Sequence, residues 1–282
     1  MPPDCRFSYQ NKIIFAAERF FPIIFGMVTA NPPLEDELGD VLEKALHRCG
    51  LTVGALSERA QVDAARIRDA IDYRSDLNCD ELRRLAAALD LNEVGLCALG
   101  AGRYPLPEIG ELPFCLHALH MTHGIGVANA YLVAEKAAGH GVLFDTGTNF
   151  AALRKGWPGT IKKIDAIFLT HVEAEHAGGL CEALAAFGAE RAFVPMGSSL
   201  PCSEPLAEGA TRIYGDIEVT AFSTPGHCAA HNCYLVRSYS AALDAPPVLV
   251  SGDLIFAGSV GGGYFSPKHL SGHLRRIILA VS

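Results

Sequence analysis

The 282-residue sequence has little charge and no long hydrophobic run, and each deficiency excludes a class of protein. Charged residues make up 19% of the chain and hydrophobic residues 50%, which argues against intrinsic disorder and for a sizeable folded core. The apolar stretch at residues 20–28 is too short for a membrane span and contains Pro22. Asp4 and Glu18 interrupt the pattern of a secretory signal, so we expect a cytoplasmic protein that does not bind membranes.

The nine cysteines include no Cys-x-x-Cys pair, and their number is odd. They are scattered over the chain, at Cys5, Cys49, Cys79, Cys97, Cys115, Cys181, Cys202, Cys228 and Cys233. This usage is typical of free thiols in a reducing compartment and argues against a disulfide framework. The formal net charge of −8 disfavours a protein that binds nucleic acid over its whole surface.

Breaks in the sequence pattern divide the chain into four parts. Two glycines and two prolines fall within residues 100–107 and end the helical pattern that precedes them. We therefore predict an N-terminal extension at residues 1–33, a small all-α domain at 34–100, a linker at 101–107 and a mixed α/β domain at 108–282.

Residues 34–100 have the pattern of short helices joined by tight turns. Thr52 is expected to cap a helix over residues 53–60, and Asp63 to cap the next, over 64–73. A further helix is predicted at residues 79–89. The order of these elements resembles the Cro/repressor type of helix-turn-helix domain.

This resemblance implies DNA contact through residues 51–76, with Arg66, Arg68 and Arg74 as the candidate side chains. However, residues 34–100 carry eight basic and fourteen acidic side chains, a net charge of −6. Asp69 and Asp72 share the presumed recognition helix and would repel phosphate. Two alternatives stay open: a DNA-binding module, or a module of the same helical fold that serves in docking or in a homodimer.

The most informative stretch of the chain is residues 170–179, which read T-H-V-E-A-E-H-A-G-G. Two imidazoles and two carboxylates fall within six residues, directly after the apolar run at residues 164–169. Such a run is typical of a buried strand, so the polar cluster is predicted at a strand end, where α/β sheets usually hold their chemistry. Imidazole and carboxylate ligands together suit zinc, iron or manganese.

Two later segments offer further ligands at predicted strand ends. Residues 223–227 read S-T-P-G-H and precede a strand-like run, and residues 248–253 form an apolar strand that ends in Gly-Asp. Three strand-end loops therefore each present side chains of the kind that bind metals. Three such segments in this order indicate a metal site more specifically than any one of the segments does alone.

From about Leu112 onward, the chain resembles the metallo-β-lactamase fold, the superfamily that includes glyoxalase II and flavo-diiron proteins. The resemblance is carried, in the family's order, by residues 129–133, 142–147, 170–179, 224–227 and 251–256. It implies an α/β fold: an αββα sandwich with a metal site at one edge of two packed sheets, preceded here by the all-α domain.

The resemblance also implies a ligand set. His171, Glu173 and His227 would hold one metal, while Glu175, His176 and the bridging Asp253 would hold the other. Glu173 stands where hydrolases of the family have a histidine; flavo-diiron proteins share this change, which favours iron or manganese over zinc. Glu175 replaces an aspartate that orients the attacking water, so we name Glu175 and Asp253 as catalytic. Asp145 is expected to orient a ligand histidine from behind.

The C-terminal part departs from the family pattern. Family members continue past the Asp253 strand through a helix to a last strand whose histidine binds the second metal. Here a helix is predicted at residues 266–279 and the sequence stops at Ser282. We therefore expect either a naturally short chain that lacks this strand or a piece of a longer one.

The leading functional prediction is a metal-dependent hydrolase that attacks a small acyl ester, thioester or similar substrate through a metal-bound water. It would use one or two divalent ions: zinc, iron or manganese. One alternative is a di-iron redox or oxygen-sensing regulator with the helix-turn-helix domain as its output. Another is a degenerate, non-catalytic binding protein.

Overall fold

A computed structural model describes residues 34–104, 109–124, 126–136, 139–240 and 245–281. The predicted N-terminal extension and residues 105–107 of the predicted linker lie outside the described residues. Within the described ranges, no helix is long and apolar enough to cross a membrane. The eight cysteines in these ranges are free thiols, as the sequence predicted.

The N-terminal region is built from short helices. They are α1 (Leu38–Cys49), α2 (Val53–Ala60), α3 (Ala64–Ile71), α4 (Cys79–Leu89) and α5 (Glu93–Gly100). Their apolar faces enclose one core that includes Leu42, Leu56, Ile67 and Leu85, all fully buried. Helix α3 ends two residues before the predicted position because Tyr73 has φ +57°, a left-handed conformation that a right-handed helix cannot include.

Polar side chains set the starts of these helices. The Thr52 hydroxyl accepts a hydrogen bond from the Ala55 amide at 3.2 Å, and Asp63 accepts from the Ala65 amide at 2.7 Å, as the sequence predicted. Helix α4 begins after Asn78, whose side chain and that of Glu81 form a capping box. Tight caps explain how such short helices form a compact unit.

Two of the three arginines proposed for DNA contact are paired with acidic groups of the same region. Arg66 binds Glu81 through Nε at 2.5 Å, and Arg74 binds Asp69 at 2.7 Å. Arg68 is exposed. The ion pairs reduce the positive charge that this surface offers to phosphate, and DNA binding through residues 51–76 stays a prediction.

The C-terminal part contains two main sheets. The first has the strand order β1 (Cys115–His123), β2 (Gly126–Ala134), β3 (His140–Phe144), β4 (Lys163–Phe168), β5 (Arg191–Pro195) and β6 (Ser203–Leu206). Strands β1 to β3 pair antiparallel, and β3 to β6 pair parallel. The second sheet is antiparallel, in the order β10 (Val248–Val250), β9 (Asn232–Ser238), β8 (Ile217–Ser223) and β7 (Thr211–Tyr214). A short hairpin, β11 (Ile255–Phe256) with β12 (Ser259–Val260), follows.

Helices cover the outer faces of both sheets. They are α6 (Phe150–Lys155), α7 (Ala174–Ala177), α8 (Leu180–Phe187) and α9 (Pro267–Val281). Phe144, Phe168 and Phe193 of the first sheet stack on one another and pack against Tyr234 of the second, filling the space between the sheets. Helices α6 and α8 close the first sheet, and α9 closes the second. The result is the layered α/β arrangement that the sequence predicted.

Strand ends from both sheets converge at one edge of this sandwich. Strands β3 and β4 run parallel, so the residues that follow them, including Asp145 and His171, emerge on the same side. The amide of Asn232, the first residue of β9, donates to the Thr170 carbonyl at 2.8 Å and joins the second sheet to this edge.

We expect Phe168→Ala to lower the free energy of unfolding by about 3–5 kcal/mol, because it leaves a cavity among the stacked rings between the sheets. Tyr239, an aromatic side chain that is 64% exposed, offers a matched control, and Tyr239→Ala should cost less than about 0.5 kcal/mol. Urea unfolding of both variants measures the difference. Equal losses would contradict a central role for the inter-sheet core.

Candidate metal centre

Three side chains from three separate loops meet at this edge. His171 follows β4, His227 precedes β9 and Asp253 follows β10, and one ligand atom of each lies within 4.8 Å of the others. His171 is fully buried and His227 is 7% exposed. Among the described residues, this is the group of histidines and carboxylates that is close enough to hold a metal ion.

The two histidines are oriented by hydrogen bonds on their Nδ1 atoms. His227 Nδ1 donates to the Gly262 carbonyl at 3.2 Å. His171 Nδ1 lies 3.0 Å from the Thr170 hydroxyl, which itself donates to Asp145 and so is free to accept from the imidazole. Both Nε2 atoms are buried and lack a hydrogen-bond partner. Buried nitrogen lone pairs without a donor are costly, and a divalent cation would satisfy them, so the side chains present fit a metal.

A hydrogen-bonded chain supports the other side of the group. Asp145 accepts a hydrogen bond from His176 Nδ1 at 3.0 Å, and His176 Nε2 lies 3.2 Å from Asp253 Oδ1. Asp145 also accepts from the Thr170 amide at 2.7 Å. The bonds to its two ring nitrogens fix the rotamer of His176, and the Asp253 carboxylate faces both His176 and His227.

Burial and neighbouring charges determine the protonation states in this centre. Burial and the nearby His176 lower the pKa of His171 to about 2, so its ring is neutral at pH 7. Burial alone would raise the pKa of Asp253, but the hydrogen bond and charge of His176 hold it well below its usual range. A neutral imidazole beside an ionised carboxylate is the state in which both groups bind a cation.

The predicted carboxylates of the 170–179 loop lie at different distances from this group. Glu173 is at the mouth, with its side chain 45% exposed and Oε1 3.5 Å from His227 Nε2. Glu175 is half-buried on α7 and makes no hydrogen bond or ion pair with any described residue. The structure thus brings together five of the six predicted ligands and leaves Glu175 apart; the roles of all six stay predictions.

His231 is a buried residue beside this group that the sequence did not predict. Its ring is almost fully buried, 5.3 Å from the ring of His171, with Nδ1 2.8 Å from the Thr224 hydroxyl. Its Nε2 atom is unpartnered and faces the backbone of Gly252, where an added Cβ would lie 2.8 Å from it. The signal in the sequence was the position of His231, four residues after His227 and directly before the predicted strand that begins at Asn232.

Gly178 and Gly179 are required for close approach of two loops. Gly178 has an ordinary helical φ of −64°, so the chain does not need a left-handed residue there. A Cβ on Gly178 would lie 2.1 Å from the Thr148 carbonyl, and one on Gly179 would lie 2.7 Å from the Thr146 carbonyl. The two glycines let α7, and with it His176, dock against the loop that carries Asp145.

These observations define a layered α/β protein with a buried imidazole–carboxylate centre at the edge of two packed sheets. Residues 123–275 match the family model of the metallo-β-lactamase superfamily. The matched segment includes more than half of the chain, and the chain belongs to this superfamily.

Curated relatives match over a shorter stretch. Two hydroxyacylglutathione hydrolases, from Salmonella paratyphi B and Salmonella newport, are each 33% identical over 105 residues. The matched segment covers 34% of this chain and 36% of each relative, so the chain spans about a third of the length of the curated relatives it matches.

Solved structures of the superfamily are similar at lower identity. A metallo-β-lactamase from Staphylococcus aureus is 18% identical with a TM-score of 0.47, covering 58% of this chain and 52% of that one. The B3 metallo-β-lactamase BLEG-1 is 20% identical with a TM-score of 0.47, covering 60% of this chain and 87% of that one.

Asp145→Asn should weaken zinc binding by about 10- to 100-fold, because the amide nitrogen would face the donors of Thr170 and His176 and misalign the ligand imidazole. The chain offers a matched control at the opposite end of β4, where Asp165 lies 2.5 Å from His140. Asp165→Asn should leave zinc affinity within twofold of the wild type. Isothermal titration of metal-free protein measures both, and equal losses would refute the orienting role of Asp145.

The metal-free chain should lose stability as pH falls below about 6.5. Burial lowers the pKa of His231 to about 3, so the folded state keeps this ring neutral while the unfolded chain takes up a proton near 6.5. This single group contributes a slope of about 1.4 kcal/mol per pH unit between about pH 6 and 4. Urea unfolding of His231→Gln in chelator should show a shallower slope, and the exposed His123→Gln an unchanged one. Identical slopes in all three proteins would contradict the assignment.

Proposed function

We propose that this protein is a metal-dependent hydrolase that cleaves a small acyl ester or thioester. The observation that carries the proposal is the group of His171, His227 and Asp253, whose imidazole Nε2 atoms are buried, oriented and without a hydrogen-bond partner. His176 lies next to Asp253, and Glu173 lies next to His227. These five side chains would hold one or two divalent ions, with Glu175 as a further ligand if its side chain turns inward.

A bound divalent ion would lower the pKa of a coordinated water and polarise the substrate carbonyl. The protein's own groups supply orientation and proton acceptors. Asp253 Oδ2 and Glu173 Oε1 lie 3.4 and 3.5 Å from His227 Nε2, where either oxygen can orient a water for attack. Asp145 and the Gly262 carbonyl hold the imidazoles so that this arrangement does not have to form during the reaction.

Two facts support an acyl substrate. The superfamily membership places the centre in a family with hydrolytic members, and the names of the Salmonella relatives describe hydrolysis of an acylated glutathione. Because the chain matches only about a third of those relatives, the thioester class is proposed here without any particular acyl group.

A di-iron redox or oxygen-sensing protein is the second candidate, and Glu173 is the observation that favours it. Its carboxylate oxygen lies next to His227. A carboxylate in that position makes the set of metal ligands harder and more anionic than a histidine in the same position would. Such a set favours iron or manganese over zinc. The helical region, α1 to α5, would then carry the output of the sensor.

The test is elemental analysis of protein purified without chelator or added metal, followed by assays with ester and thioester substrates. We expect one or two zinc or manganese ions per chain and hydrolysis that chelator abolishes. Glu173→Ala and His227→Ala should each lose metal and activity. Glu182→Ala, which removes an exposed carboxylate on α8, should lose neither.

Two outcomes would contradict the hydrolase. Two irons per chain, with near-ultraviolet and visible absorption and no hydrolysis, would establish the di-iron alternative. A folded wild-type protein without metal would mean that the centre is a non-catalytic binding scaffold.

A further inference from the structure

The N-terminal helical region packs on the rim of the metal centre. The ring of His47 on α1 contacts that of Tyr264 at 5.6 Å, and Tyr264 in turn contacts the ring of His227 at 5.5 Å. Lys44 Nζ lies 4.4 Å from the centroid of Phe256 in the β11–β12 hairpin. Helix α1 is therefore in contact with Phe256 and Tyr264, which belong to the segment that follows Asp253 and borders His227.

The residues just before α1 are fixed to this rim. Asp36 is 5% exposed, binds Lys44 Nζ at 2.6 Å and accepts a hydrogen bond from the Ser259 hydroxyl. A buried carboxylate held by a lysine and a hydroxyl has few alternative positions. The neighbouring residue, Glu35, is thereby held at a defined place beside the centre.

The side chain of Glu35 enters the cavity next to His176. Its Oε1 atom accepts a hydrogen bond from the Asn129 amide of β2 at 2.8 Å. Glu35, Asn129, Asp145, His176 and Ser251 line one cavity, together with the β10 strand that leads to Asp253. The carboxylate lies beside, not within, the group formed by His171, His227 and Asp253.

The carboxylate of Glu35 faces the imidazole of His176 but has no basic side chain of the lysine or arginine type as a partner among the described residues. Among the described residues, no lysine or arginine forms an ion pair with it. A carboxylate in such a place costs free energy unless a cation or proton joins it.

We propose that Glu35 is a carboxylate ligand of the metal centre, on the side of His176 and Asp253, supplied by the segment that leads into the helical region. The inference rests on the metal-dependent centre proposed above and extends it to a residue outside the superfamily match at 123–275. A divalent ion on that side would supply positive charge that no lysine or arginine of the described residues provides to Glu35. Glutamate has enough side-chain freedom to reach an ion from a backbone fixed by Asp36.

Titration of metal-free, full-length protein with cobalt(II) tests this assignment. Glu35→Gln keeps an oxygen that accepts from the Asn129 amide but removes the charge. It should weaken cobalt binding at least tenfold and change the visible absorption of bound cobalt. His176→Ala should affect the same binding step, and Glu58→Gln, an exposed carboxylate on α2, should match the wild type.

A structural role for Glu35 predicts a different result. Thermal unfolding in chelator should show Glu35→Gln to be at least as stable as the wild type, because the variant buries no charge, while the stabilisation by added cobalt should shrink. Wild-type cobalt affinity and spectrum in Glu35→Gln, with His176→Ala impaired, would overturn the Glu35 proposal and leave the hydrolase intact. Failure of folded wild-type protein to bind cobalt would overturn both.

Discussion

The carboxylate of Asp145 is the contact on which the geometry of the metal centre depends. It sits directly after β3 in a left-handed conformation, with φ +58°, which aspartate tolerates better than most residues. Three donors converge on it: the Thr170 amide, the Thr170 hydroxyl and His176 Nδ1. Since Asp145 is 2% exposed, water cannot replace any of them, and the ends of two neighbouring strands are held in one arrangement.

The other imidazoles of the centre are also held by hydrogen bonds to groups outside the ligand set. Each ring has its Nδ1 atom held from behind, His171 and His231 by threonine hydroxyls and His227 by the Gly262 carbonyl. A ring fixed in this way presents Nε2 in one direction and in one tautomer. The centre is thus organised by the protein before any ion binds, and the two packed sheets supply the rigidity that a loop-borne site would otherwise lack.

Features that depend on a short stretch of residues could be predicted from the sequence. The position of His171 after a strand and the helix caps at Thr52 and Asp63 follow from short stretches of chain, and the structure has them as predicted. His231 escaped notice because its importance comes from packing against His171, sixty residues earlier in the chain.

Glu35 lay beyond the reach of sequence analysis for the same reason. Its partner Asn129 is 94 residues away, and no spacing rule relates a residue before α1 to a strand of the first sheet. The end of α3 was missed by two residues because the left-handed Tyr73 is held by contacts with α1, including a hydrogen bond from its hydroxyl to Asp40. Long-range contacts of this kind decide which of several locally acceptable conformations the chain adopts.

The ring contacts from His47 through Tyr264 to His227 have a thermodynamic consequence. Coupling between two sites is reciprocal. If docking of α1 changes the metal affinity by some factor, binding of the metal changes the equilibrium constant for docking by the same factor. A ligand that moves α1 would therefore change the metal affinity of the imidazoles, and gain or loss of an ion would change how α1 docks on the sandwich. The rings of His47, Tyr264 and His227 are the contacts through which the helical region and the sandwich would be coupled.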